Sequence, residues 1–317
     1  MVFGLYFNIF AGMKRILVTG ANGLLGQKLV YRLKWMNNAE CIATAKGENR
    51  LLNQEGYTYY DMDITNAEDV RKVIEETKPH YIIHAAAMTN VDACETEKEL
   101  CKKINVDAVQ TIASLCDELN IHLIHVSTDF IFNGEEGPYS ETAKPAPLSY
   151  YGWSKLEAEN IVLQMKAPAA ILRTVLVYGI VDNMSRSNIV LWVKNSLEQG
   201  KDINVVNDQF RTPTFAEDLA EGCLLAVYKN ATGIYNISGN ELMSIFDIAQ
   251  KVADHYALNK SLIHSTDSST LNQPAKRPPK TGFIIDKAIK DLGYAPTSFI
   301  ESMKIMDEQI QMSNQKK

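Results

Sequence analysis

The sequence predicts an α/β chain built on a doubly wound parallel sheet, with a smaller C-terminal lobe. Three observations carry this. Short, near-continuous apolar runs recur through the first half, as strands buried on both faces require. Amphipathic stretches with helical spacing separate them, and that alternation builds a parallel sheet covered by helices. A glycine-rich turn, "VTGANGLLG" (18–26), follows the first run and opens the first helical stretch.

Taken in order, strands are expected at "RILVT" (15–19), "CIATA" (41–45), "YIIHAA" (81–86), "HLIHVS" (122–127) and "AAILRT" (169–174). Helices are expected at 24–36, 67–77, 99–118 and 151–165. Beyond residue 178 the pattern loosens into helices near 187–199 and 244–257, a strand "INVV" (203–206) and a Pro- and Lys-rich loop at 272–283. The division expected is a dinucleotide-binding domain over 13–178, to which 212–238 returns. Segments 179–211 and 239–317 then form a substrate-binding lobe. Residues 1–12 are apolar but short and lack a positive start, so they read as a disordered leader rather than a signal peptide.

A net charge of −6 without a basic tract argues against nucleic acid or a membrane surface as partner. No run approaches the ~18 apolar residues of a membrane helix. Five cysteines without a C-x-x-C pair read as reduced thiols, hence a cytoplasmic setting. Cys94 and Cys101 lack metal-ligand spacing. His122 and His125, three apart on a strand, face opposite ways, so no metal site is expected. His84 reads as a structural residue in a turn.

In the glycine turn, Gly20, Gly23 and Gly26 are spaced G-x-x-G-x-x-G. Glycines there allow a tight turn and close approach of backbone to a phosphate, and the helix start offers free N–H groups to a pyrophosphate. Where an NAD site places an acidic residue, this chain has Lys46, with Arg50 following. Positive charge there suits a 2′-phosphate, so NADP(H) is preferred and NAD(H) remains an option. Glu48 stands against this, and a solvated loop of mixed charge is the other reading.

"SYYGWSK" (149–155) sets two tyrosines before one lysine. On a helix, residues four apart share a face and residues five apart do not. Tyr151 is therefore expected beside Lys155, and Tyr150 elsewhere. A neighbouring ammonium favours the phenolate and would lower the phenol pKa, leaving a group able to give or take a proton. "HVSTDF" (125–130) ends a predicted strand, where Ser127 or Thr128 can project a hydroxyl into a ligand crevice.

Together these features resemble the extended short-chain dehydrogenase/reductase superfamily and, more narrowly, the dTDP-4-dehydrorhamnose reductase family. The likeness runs from Met13 nearly to the end. It includes "TGANGLLG", "HAAAMTNVDACE" (84–95), "STDFIFNG" (127–134), "PLSYYGWSK" (147–155), "NDQFRTPTFAEDLA" (207–220) and "RPPKTGF" (277–283). The resemblance implies reduction of a nucleotide-linked 4-keto-6-deoxy sugar. Thr128 would hydrogen-bond the carbonyl, Tyr151 would be the acid, and Lys155 would hold the nicotinamide ribose. The cofactor would lie along Gly20, Asn22, Gly23, Leu24, Leu25 and Gly26, then Lys46, Asp63, Ile64, Ala85, Ala86 and Ala87, with Asn105 acting through its backbone. Thr89, Val91, Asp129, Phe130 and Leu176 match positions that touch the sugar, and Arg211 and Arg277 are candidates for its diphosphate. A homodimer is one expectation.

The chain departs from the family pattern in reading Gly23-Leu24-Leu25-Gly26 in the turn and Leu176 where the family usually carries Trp. The acidic residues that bind magnesium in some members find no match. Two other readings stay open: a sugar-nucleotide epimerase of the same superfamily, and a regulatory subunit resembling the β subunit of methionine adenosyltransferase. The latter shares a Gly-Leu-Leu-Gly turn and a "SGNE" stretch (238–241).

Overall fold

The computed structural model describes residues 12–183 and 187–314. The expected leader lies outside the described residues apart from Gly12. Seven strands form one sheet. Strand β1 (Lys14–Thr19) has β2 (Ala39–Ala45) and then β3 (Thr58–Asp61) on one side. On the other lie β4 (Tyr81–His84), β5 (His122–Thr128) and β6 (Ala169–Thr174), with a further strand, Gly233–Asn236, at the far edge. Every pairing is parallel. The strand order reverses between β1 and β4, so a crevice opens beyond their carboxyl ends.

Strand β3, "TYYD", was not among the expected strands. It is four residues long, lies at the sheet edge and has exposed ends, so it never shows a continuous apolar run. The alternation of side chains along β1 explains the two main cores. Ile16 and Val18 pack with Leu29, Leu33 and Leu224 on one face, while Leu17 packs with Ile42, Ile82, Val109 and Ile112 on the other. A separate core gathers Tyr178, Val190, Val193, Ile248, Val252, Met303 and Met306, all outside the sheet.

The helix expected over 99–118 is three segments. Lys98–Lys102 is α-helical, Lys103–Asp107 is a π-helical turn, and Ala108–Leu119 resumes the α-helix. Such π turns concentrate at functional sites. The helix bearing the tyrosines runs Tyr150–Leu163. It starts on Ser149, whose side chain accepts from Gly152 N at 3.2 Å. A buried ion pair locks it to the sheet: Glu159 accepts from Arg173 of β6 (Nη2–Oε2 2.7 Å) and from Ser127 Oγ of β5 at 2.6 Å.

Candidate active site

The glycine turn is dictated by contact. Gly20 has φ +69°, and a Cβ there would stand 2.9 Å from the backbone of Ala86. A Cβ on Gly26 would come within 2.1 Å of Gly20 O and 2.7 Å of Ala21 Cα. Only glycine lets the helix Leu24–Leu33 start this close to β1. Leu24 is half-buried at the helix start and Leu25 is buried beneath it. Ala85, Ala86 and Ala87 follow β4 on the opposite wall, each partly exposed. Thr19 ties the walls together: its Oγ1 accepts from Ala85 N and Ala86 N, both at 3.2 Å.

Asn22 acts on the protein. Its Nδ2 donates to Glu48 O at 2.9 Å, and its Oδ1 accepts from Arg50 N at 2.9 Å. It thereby pins the loop after β2 over the turn. On that loop Lys46 is mostly exposed and pairs with Asp63 (2.7 Å), which is half-buried like its neighbour Ile64. The pair holds the Asp63 carboxyl at about 2, with the Lys46 contact the main cause.

Thr128 ends β5, and Tyr151 sits in the first turn of its helix. Both are buried, at 6% and 8% exposure. Burial dominates the Tyr151 phenol and holds its pKa well above the ordinary value, while the nearby Thr128 hydroxyl pulls the other way. The phenol is therefore kept protonated. This corrects the expectation that the lysine would lower it. Lys155 Nζ points away, to Val126 O at 2.8 Å and His125 Nε2 at 3.1 Å, and burial brings its own pKa down to about 8. Tyr150 does take another face. Its ring lies against Trp153 (centroids 4.9 Å apart), and its backbone N–H donates to Glu95 at 2.6 Å.

The remaining predicted residues divide into two groups. Val91 and Phe130 pack around Tyr151 with Cys94 and Cys101, and the Phe130 ring meets the Tyr151 ring edge-on at 5.7 Å. Thr89 is exposed on the loop before them. Asn105, on the π turn, also makes a set of side-chain bonds beside the site. Its Oδ1 accepts from Met88 N at 2.8 Å, and its Nδ2 donates to Met88 O at 3.0 Å and Ser154 Oγ at 3.1 Å. Ser154 Oγ in turn donates to Tyr151 O at 2.8 Å.

Both arginines have protein partners instead of standing free for a phosphate. Arg211 is 3% exposed, pairs with Asp129 (3.5 Å) and donates to Phe210 O, Pro278 O and Pro279 O at 2.7, 2.8 and 3.2 Å. Arg277 grips Asp92 with two bonds, of 3.1 and 2.7 Å. Asp129 is itself buried, with its pKa raised by desolvation against the pull of Arg211, and accepts from Thr281 Oγ1. These contacts staple the 275–281 loop beside the site. Leu176 has φ +41° and packs against both the sheet core and the outer core, so it joins the two through apolar contact.

Two residues beyond the predicted set belong here. His84 ends β4 rather than lying in a turn, and its Nδ1 is 2.8 Å from Thr19 Oγ1. His125, buried in β5, touches Lys155. Only strand register brings them together: His84 pairs with His125, and their rings stack at 5.5 Å.

The family model described as the RmlD substrate binding domain matches residues 13–312. The methionine adenosyltransferase 2 subunit beta of Xenopus laevis is 34% identical over 253 residues, 78% of this chain and 74% of that protein. A probable low-salt glycan biosynthesis reductase of Haloferax volcanii is 30% identical over 292 residues, 92% of this chain and 96% of its own. Among solved structures, a dTDP-4-dehydrorhamnose reductase from Clostridium acetobutylicum superposes with a TM-score of 0.83 at 30% identity, covering 94% of this chain and 99% of that one. Another from Bacillus anthracis, in complex with NADP, gives 0.79 at 28% identity with the same coverage. The chain therefore belongs to the RmlD family, that of the dTDP-4-dehydrorhamnose reductases within the extended short-chain dehydrogenase/reductase superfamily.

Proposed function

We propose that this chain is an NADP(H)-dependent reductase of a nucleotide-linked 4-keto-6-deoxy sugar, with dTDP-4-dehydro-L-rhamnose the first substrate to test. One observation carries the reading. A buried, protonated Tyr151 lies close to the Thr128 hydroxyl at the carboxyl end of β5. A proton donor with a second hydroxyl close by suits a carbonyl oxygen that gains charge during reduction.

The residues fit a dinucleotide. A turn in which a Cβ would strike backbone at Gly20 and Gly26 gives the close approach a pyrophosphate needs. Lys46, Arg50 and the Asn22-pinned loop would meet the adenosine end, with Asp63 and Ile64 beside them. Ala85, Ala86 and Ala87 would line the opposite wall, and Lys155 would hold the nicotinamide ribose. The chemistry supplied by a bound nicotinamide is hydride donation. The chain's own residues do the rest: Thr128 orients the carbonyl, and Tyr151 Oη releases its proton to the developing alkoxide. Segments 179–211 and 239–317 serve as the substrate lobe, with Thr89, Val91, Phe130 and Leu176 on its near side. Arg211 and Arg277 shape that lobe through Asp129 and Asp92.

The test is NADPH oxidation with a panel of nucleotide 4-keto sugars. Turnover with at least one supports the reading; tight NADPH binding with no turnover on any defeats it. A regulatory role is the second reading, favoured by the 34% identity to the methionine adenosyltransferase 2 subunit beta. Co-purification with a synthetase, combined with no turnover, would select it.

A further inference from the structure

We propose that His125 is a positioning residue whose neutral imidazole accepts a hydrogen bond from the Lys155 ammonium and thereby sets that group's place and charge. The proposal deepens the reductase reading and rests on it for its catalytic meaning. Lys155 is 3% exposed and His125 wholly buried. An ammonium has donors only. Its two contacts, Val126 O at 2.8 Å and His125 Nε2 at 3.1 Å, are therefore both acceptors, from adjacent residues of β5. Among the described residues no carboxylate forms an ion pair with Nζ, so neutral acceptors replace the water that burial removes.

The ring is held for this task. Accepting at Nε2 places the imidazole hydrogen on Nδ1, and Nδ1 has no hydrogen-bond partner among the described residues. A buried polar atom left so is costly and points to a role for the other nitrogen. His84 lies in register on β4 and stacks on the His125 ring. Thr19 Oγ1, already accepting from Ala85 N and Ala86 N, gives its own hydrogen to His84 Nδ1. The ring orientation at Lys155 is thus tied to the glycine turn.

Around this pair the titratable groups are His84 from β4, Glu159 from the lysine's own helix, and Cys101 from Lys98–Lys102. Glu159 is neutralised by Arg173 of β6. Burial and the nearby lysine keep both imidazoles far below their ordinary range, so they stay neutral at working pH. His125 consequently acts as an acceptor and not as a second cation.

The test titrates Lys155 by carbon NMR of protein labelled at lysine Cε, using Lys155→Arg to assign the resonance. NADPH affinity is followed against pH in parallel. His125→Leu and His125→Phe remove the acceptor; His125→Gln returns one near the position of Nε2. In the parent, Lys155 loses its charge as pH rises through about 8, so NADPH affinity falls above that point. Losing one hydrogen bond to a charged group should move the titration down by about one unit or more. NADPH affinity near pH 8 should then drop about fivefold or more, and His125→Gln should restore both. His125→Phe, a planar ring of similar bulk, covers the case in which His125→Leu does not fold. An unchanged Lys155 titration in the folded Leu or Phe variant overturns the proposal, as does a Gln variant as impaired as the others. Neither readout needs a sugar substrate, so absence of turnover would sink the reductase reading without touching this result.

Discussion

Replacing Asn105 with alanine should unlatch the wall of the site. Its side-chain amide satisfies both backbone groups of Met88, at 2.8 and 3.0 Å, and donates to Ser154 Oγ at 3.1 Å. Ser154 keeps its bond to Tyr151 O, so the loss falls mainly on the Met88 N–H and C=O. Each of these partly buried groups left unpaired costs up to about 1–3 kcal/mol, giving roughly 2–6 kcal/mol at most for the two. For a chain of this length that is a fall in Tm of about 3–9 °C. We predict this loss in urea and thermal unfolding, with weakened NADPH binding, because segment 85–91 is held from Asn105. Asn105→Asp keeps an acceptor for Met88 N but sets an oxygen against Met88 O, so it should be at least as damaging. An alanine variant within about 0.5 kcal/mol of the parent would refute the side-chain account.

Three further outcomes follow from the site. Tyr151→Phe should lower turnover by about 100-fold or more while NADPH still binds, and Tyr150→Phe should change little; equal losses in steady-state assays would overturn the assignment. Lys46→Asp sets a carboxylate beside Asp61 and Asp63 and should reverse or erase a preference for NADPH over NADH; kcat/KM ratios for the two cofactors decide it. Gly26→Ala would drive a Cβ to 2.1 Å from Gly20 O, so stability should fall by about 1–3 kcal/mol and dinucleotide binding should be lost. Calorimetry showing parent-like NADPH affinity would count against the close-packed turn.

By itself the sequence determined the sheet and the local features that rest on residue spacing. Apolar runs marked β1, β2, β4, β5 and β6, because strands buried on both faces cannot hide their composition. Three-residue glycine spacing marked the turn, and four-residue spacing chose Tyr151 over Tyr150, because both depend only on chain geometry. Tertiary structure decided whatever depends on which strands and loops become neighbours. Edge strand β3 carries no apolar run to read. The π turn at Lys103–Asp107 leaves no periodic signature, yet it sets Asn105 over Met88. The partners of Arg211 and Arg277, Asp129 and Asp92, come from distant parts of the chain and are set only by folding. Lys155 turned from the tyrosine to His125, and the phenol pKa rose instead of falling, because burial outweighs a charge that points elsewhere.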